Sequence, residues 1–255
     1  MITLKNSAQL QRMREAGRVV AHTLQQVTEA AHPGVSLAEL DAIGAASIRA
    51  AGARPSFLHY HPTFAPSPFP GVLCLSVNDV IVHGIPSAQV LRAGDVLSID
   101  CGAQLDGYHG DAAVTLPIGT VDTAAADLIA TTHRALQAGI NAAVIGCRLG
   151  DISHAIQTVG REAGYGIPDG LGGHGVGVAM HEDPYLPNTG QRGRGLRLRE
   201  GLVLAIEPMF LEGGQDARRM LADGWAITTG DGSRAAHFEH TIAITADGPL
   251  ILTAP

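Results

Sequence analysis

The 255-residue sequence predicts an α+β fold of two related halves that meet about an approximate two-fold axis, with helices covering one face of a curved antiparallel sheet. Three observations carry this reading. Gly94-Asp95-Val96-Leu97-Ser98-Ile99-Asp100 is echoed 107 positions later by Gly201-Leu202-Val203-Leu204-Ala205-Ile206-Glu207. Gly34-Val35-Ser36-Leu37-Ala38-Glu39-Leu40 is echoed 112 positions later by Gly146-Cys147-Arg148-Leu149-Gly150-Asp151-Ile152, and Gly52 matches Gly164 at the same offset. Each half also opens with apolar residues at helical spacing and continues with short apolar strands.

Residues 16–31 place Val19, Val20, Leu24 and Val27 on one stripe, which predicts a first helix. Ser36 then reads as an N-cap with an acid, Glu39, three residues on, so a second helix starts at Leu37. Further along, Asp106-Gly107 is the signal for a two-residue type I′ hairpin, because both central positions require positive φ. In the second half, residues 124–144 repeat the helical stripe through Leu128, Ile129, Leu136 and Ile140, and Asp151 serves near the start of a helix ending at Gly164. Pro208 ends the apolar strand that precedes it, and residues 237–244 alternate, with Phe238, His240, Ile242 and Ile244 on one face and Glu239 on the other. The halves span roughly residues 10–120 and 121–255 of a single domain covering 1–255.

Composition narrows the function. A chain that is 45% hydrophobic and 16% charged buries a core rather than remaining disordered. A net charge of −7, with 17 basic against 24 acidic residues, gives no footprint for DNA. Residues 1–7 lack an apolar signal segment and no run of 18 apolar residues follows, so the reading is cytoplasmic, with no membrane. Cys74, Cys101 and Cys147 are too widely spaced for a metal pair or a disulfide framework and read as reduced thiols.

The chemistry lies in acids placed among apolar residues. A two-residue loop at Asp106-Gly107 sets Asp111 opposite Gly102, with Asp100 two residues from Gly102 on the same face, so the two aspartates are diagonal neighbours about 7–8 Å apart at Cβ. The missing side chain of Gly102 is expected to leave room for a cation between them. Unpaired carboxylates in such a setting carry a large desolvation cost that a metal removes. Glu207 is the repeat equivalent of Asp100, Glu239 points away from the packed face of its strand, and His174 stands among glycines that admit close backbone approach. Four carboxylates and one imidazole favour a pair of divalent ions of the Mn, Fe, Co or Zn kind over a closed thiolate site.

Read in order, Ser76-Val77-Asn78, His83-Gly84-Ile85-Pro86, Asp100, Asp106-Gly107-Tyr108-His109-Gly110-Asp111, Gly173-His174-Gly175-Val176-Gly177, His181-Glu182, Ile206-Glu207-Pro208-Met209 and Glu239-His240-Thr241 resemble the methionine aminopeptidases of the bacterial type I class. The resemblance implies the pita-bread (creatinase/aminopeptidase) fold and a hydrolase that removes N-terminal methionine from nascent or newly made polypeptides, preferentially when the second residue is small. It further implies that Asp111 and Glu239 bridge two divalent ions, that Asp100 completes one site and His174 with Glu207 the other, and that Glu207 also carries the proton. His181 would donate to the scissile carbonyl and His83 would contact substrate near the amide, while Cys74, Phe69, Met180 and Trp225 would line the methionine pocket. Thr63-Phe64-Ala65-Pro66-Ser67-Pro68 departs from the family pattern beside that pocket and leaves open which of Tyr60, Phe64 or Phe69 touches substrate. A monomer is expected, and ribosome contact rests only on the short basic pair Arg218-Arg219. Two other readings are a prolidase of the same fold, whose members usually add a large N-terminal domain, and a binding protein that has lost catalysis.

Overall fold

The structure, a computed structural model, describes residues 2–63 and 65–255. The first half contains α1 (Ser7–Ala30), α2 (Leu37–Ala50), β1 (Arg54–Pro55), β2 (Leu73–Val77), β3 (Val80–Val82), β4 (Val96–Leu105) and β5 (Tyr108–Pro117). The second contains α3 (Thr123–Ala142), α4 (Leu149–Glu162), β6 (Gly172–Gly175), β7 (Glu182–Pro187), β8 (Val203–Ile206), β9 (Met209–Leu211), β10 (Arg218–Met220), β11 (Ile227–Thr229), β12 (Ala235–His237), β13 (Glu239–Thr245) and β14 (Gly248–Ile251).

Local chemistry sets the helix ends. Asn6 accepts from the Gln9 backbone amide while the Gln9 side chain accepts from that of Asn6, so α1 starts nine residues before the apolar stripe suggests. Ser36 caps α2 as expected, with Glu39 accepting from its backbone N–H. In α4 the cap position falls to Arg148, and Asp151, three residues on, accepts from the Arg148 amide; Asp151 is therefore the counterpart of Glu39, not of Ser36. The repeat extends to single contacts: Ser36 bridges to Val90 and Arg148 to Arg197, at the same two offsets seen in the sequence.

Among the described residues, nine strands form one sheet in the order β1-β4-β5-β13-β8-β6-β7, with β2 also on β4 and β14 on β13. Its pairs are antiparallel, and β5 of the first half joins β13 of the second, so the halves share it. Two smaller sheets, β10-β11-β3 and β12-β9, flank it.

Helices cover one face. Val20, Leu24, Leu40 and Ile48 of α1 and α2 pack on Leu73, Leu75, Leu97 and Ile99, while Leu136, Ile140, Ile152 and Ile156 of α3 and α4 pack on Leu204, Ile206 and Ile242. Because strand side chains alternate, burying Ile99, Ile206 and Ile242 under helices turns Asp100 and Thr241, and Glu207 just past its strand, to the opposite face. That face is the concave one, and the function is built there.

The hairpin behaves as its dipeptide requires: Asp106 and Gly107 have φ of 49° and 82°, and Leu105 pairs with Tyr108. The turn positions Asp111, so Gly107→Val, which forces a β-branched side chain into the left-handed region, is predicted to cost about 1–2 kcal/mol. The check is the urea unfolding midpoint of the metal-free protein; an unchanged midpoint contradicts this dependence.

Candidate metal centre

Strand register assembles the site. Cys74 faces Asp100, Asp100 faces Ala113, and Ala113 faces Glu239. His240 faces Ile206, and one further step of that register brings Glu207 beside Glu239. Cys74, Asp100, Ala113, Glu239 and Glu207 thus form one row across the sheet. The neighbouring row on the same face runs Gly102, Asp111, Thr241 and Ala205, with the Thr241 hydroxyl accepting from the Asp111 amide and donating to its carbonyl. His174 enters beside Ala205 because Gly175 faces Leu204; a Cβ at Gly173 would run into the Ala205 carbonyl, so only glycine lets this strand approach.

One expectation is corrected. The space over Gly102 is not left for a cation, since a Cβ there would meet Phe57 and Ser56 at 2.9 Å and Met180 at 3.0 Å. Segments outside the sheet fold over that position. The small residue that leaves room between carboxylates is Ala113, seated between Asp100 and Glu239.

These acids are buried, and among the described residues no lysine or arginine pairs with them. Asp111 and Glu239 are 3% and 2% exposed, and Asp100 Oδ1, Asp111 Oδ1 and Glu239 Oε1 are buried with no hydrogen-bond partner. Burial pushes Asp100 from its ordinary 3.8 up to about 7 and Glu207 from 4.5 up to about 7. Burial, and then the neighbouring carboxylates, push Asp111 and Glu239 well up. His174 Nδ1 lies 2.9 Å from the Gly175 carbonyl and donates to it, which leaves Nε2 a lone-pair donor 3.7 Å from both Asp111 Oδ2 and Glu207 Oε1. The ligand atoms of Asp111, His174 and Glu239 lie within 4.8 Å of one another. Orphaned oxygens facing a prepared imidazole nitrogen fit a divalent ion.

Other expected residues surround this centre. The His181 ring lies 4.2 Å from that of His174 and stacks on Tyr60 at 5.3 Å; burial holds its pKa down to about 3. His83, with φ of 60°, meets Trp225 edge-on at 6.2 Å, and burial lowers it to about 4. Both line a cavity of about 720 Å³ whose apolar end carries Phe57, Tyr60, Phe69, Cys74 and Trp225. Met180 belongs to the same apolar cluster but packs behind the wall, touching the Gly102 position rather than lining the cavity. Burial and then Asp100 raise the Cys74 thiol well above its ordinary value, so it meets the centre as a neutral wall residue.

The Pro-rich stretch supports that wall. Ser67 O accepts from Trp225 Nε1 at 3.0 Å, Ala65 joins the cluster, and Pro66 lies against the Gly224 position. Of the three aromatic candidates, Tyr60 and Phe69 line the cavity, while Phe64 lies outside the described residues. Sequence reasoning missed His237, which is 2% exposed, with Nε2 3.5 Å from Glu207 and 4.0 Å from Glu239. Its parity, two residues before Glu239, was the available signal.

A cavity that ends on buried acids and a ligand-ready imidazole defines a metal-dependent hydrolase. The description "Metallopeptidase family M24" fits residues 11–246 of this chain. Methionine aminopeptidase 1 of Mycobacterium tuberculosis is 50% identical over 260 residues, 99% of this chain and 95% of the relative, and methionine aminopeptidase 1 of Bacillus subtilis is 46% identical over 253 residues, 99% of each. The solved methionine aminopeptidase of Thermotoga maritima superposes with a TM-score of 0.95 at 39% identity, covering 100% of both chains. The prolidase of Pyrococcus furiosus shares the fold alone, with a TM-score of 0.78 at 20% identity over 99% of this chain and 65% of that one. The chain belongs to metallopeptidase family M24, in its methionine aminopeptidase branch.

The carboxyl shifts give a pH dependence. An acid whose folded pKa is raised binds its proton more tightly in the folded state; that contribution is complete below the unfolded value near 4 and is lost as pH rises to about 7. A divalent ion must displace these protons, so its binding strengthens across the same window. In chelator-stripped protein, the Tm gain from a fixed manganese(II) concentration is predicted to be small at pH 5 and to level off above about pH 7. A gain that does not change with pH contradicts this.

Proposed function

We propose that this chain removes the N-terminal methionine from polypeptides, preferentially before a small second residue, with Asp100, Asp111, His174, Glu207 and Glu239 holding two divalent ions. The observation that carries the reading is the row Cys74–Asp100–Ala113–Glu239, which sets an apolar side-chain pocket directly against the acids. When bound, the ions supply Lewis acidity and lower the pKa of water.

The protein's own groups account for the remaining work. Glu207, whose carboxylate stands between His174 and His237 beside Glu239, is placed to take a proton from the attacking water and return it to the leaving amine. His181 stays neutral, so it donates a hydrogen bond to the scissile carbonyl oxygen as negative charge develops there without repelling the cations. His83 contacts substrate near the amide from the Trp225 side. Phe69, Trp225 and Cys74 receive the thioether, each sulfur–ring contact contributing about 0.3–1.5 kcal/mol. The oxygen-rich donor set suits Mn, Fe, Co or Zn. We further assign the whole chain to one catalytic domain, since both halves contribute ligands, and take it to act as a cytoplasmic monomer; no helix among the described residues is long and apolar enough to cross a membrane. Arg218 and Arg219 are exposed and available to a ribosomal surface.

Glu207→Gln is predicted to lower kcat on a Met-Ala peptide by about 10²–10⁴-fold with no fall in Tm of the metal-free protein. The wild-type protein should cleave Met-Ala peptides and spare Xaa-Pro peptides assayed beside them. Unchanged turnover in the variant, or preferred Xaa-Pro cleavage, overturns the assignment.

A further inference from the structure

His237 is a buried imidazole that the five-ligand scheme does not use. Its backbone is pinned: the amide donates to Thr115 Oγ1 at 2.9 Å, and that hydroxyl donates to the His237 carbonyl at 2.6 Å. It faces Met209 across the β9–β12 pair, and, two residues before Glu239, it shares the concave face with that acid. Nε2 has no hydrogen-bond partner, although the residue is 2% exposed. Leaving a ring nitrogen buried and unpaired is costly, and such atoms in folded proteins call for an occupant.

Its surroundings say which. Nε2 lies 3.5 Å from Glu207 Oε2 and 4.0 Å from Glu239 Oε2, and the three residues offer ligand atoms within 4.8 Å of one another. These separations exceed the about 2.7–3.2 Å of an N–H···O hydrogen bond. They lie close to the roughly 3.0–3.5 Å between two donors that hold one ion at about 2.1 Å each. The same spacing surrounds His174, whose Nε2 stands 3.7 Å from Asp111 and 3.7 Å from Glu207. Glu207 therefore lies between two imidazoles, Oε1 toward His174 and Oε2 toward His237, and Glu239 belongs to both triads.

We propose that His237 is a sixth protein ligand, its Nε2 joining Glu207 Oε2 and Glu239 on an ion other than the one that His174 and Glu207 Oε1 hold, so that Glu207 spans the two ions and each has one imidazole. This rests on the metallohydrolase reading above and adds a nitrogen donor to the second position. That nitrogen softens the position and favours Co, Fe or Zn there over Mn.

The test uses full-length protein loaded with two equivalents of cobalt(II), examined by proton NMR in H₂O and D₂O. An imidazole bound to cobalt through Nε2 keeps its Nδ1 proton, which gives a strongly shifted, solvent-exchangeable resonance. Two such resonances are expected, with one lost in His237→Gln and the other in His174→Gln; calorimetry should show affinity for the second cobalt falling at least about tenfold in His237→Gln. A single resonance that survives His237→Gln and disappears in His174→Gln overturns the proposal while leaving the five-ligand centre standing. No shifted resonance, with no cobalt bound, overturns both. Should His237→Gln fold poorly, His237→Asn judged by its circular dichroism and then by the same spectra serves in its place.

Discussion

Four carboxyl groups share one concave patch of sheet, and no lysine or arginine among the described residues pairs with them there. Among the described residues, the basic side chains that come within 4.0 Å of them are the imidazoles His174 and His237, at 3.5–4.0 Å. Arginines and lysines that do pair with acids, such as Arg161 with Asp216, Arg234 with Asp122 and Glu212, and Lys5 with Glu182, do so elsewhere. Burying like charges in this way opposes folding unless they hold protons or cations. Much of the architecture serves to keep that arrangement in place: helices on the far face, two short linking sheets, and a strand broken by Pro208 so that Glu207 lies at its end.

The repeat explains how such a cluster is assembled from distant segments. Each half supplies a helix pair and an apolar run that leads into an acid, Asp100 within β4 and Glu207 just past β8, and joining β5 to β13 brings the two acids into one row. Asymmetry then separates roles. The first half adds a hairpin that returns with Asp111, whereas the second leaves its sheet at Pro208 and builds β9 and β12, which carry His237 into the site.

Features governed by local rules were legible in the sequence. The Asp106-Gly107 turn dictates its own register, so the pairing of Gly102 with Asp111 followed from two residues. The alternation that placed Glu239 opposite Phe238 and Ile242 also held, because one face of β13 is packed under helices. What escaped depends on segments distant in sequence. Nothing near Gly102 announces that Phe57, Ser56 and Met180 occupy its open face, and nothing in the Pro-rich stretch announces that Ser67 holds Trp225. The early start of α1 was obscured because its first turns are mostly polar, with only Leu10 and Met13 packed inward before Ala16, so the Asn6–Gln9 box is the clearest marker. His237 shares the parity of Glu239, but its role depends on β12 turning toward Glu207, a tertiary fact.

The central proposal is that Asp100, Asp111, His174, Glu207 and Glu239 together hold two divalent ions. Anomalous diffraction from crystals of the cobalt-loaded protein, recorded at the cobalt edge, tests it most directly. The account predicts two peaks, each within ligand distance of Asp111 and Glu239. Peaks elsewhere on the protein, or none beside Glu239, would contradict it.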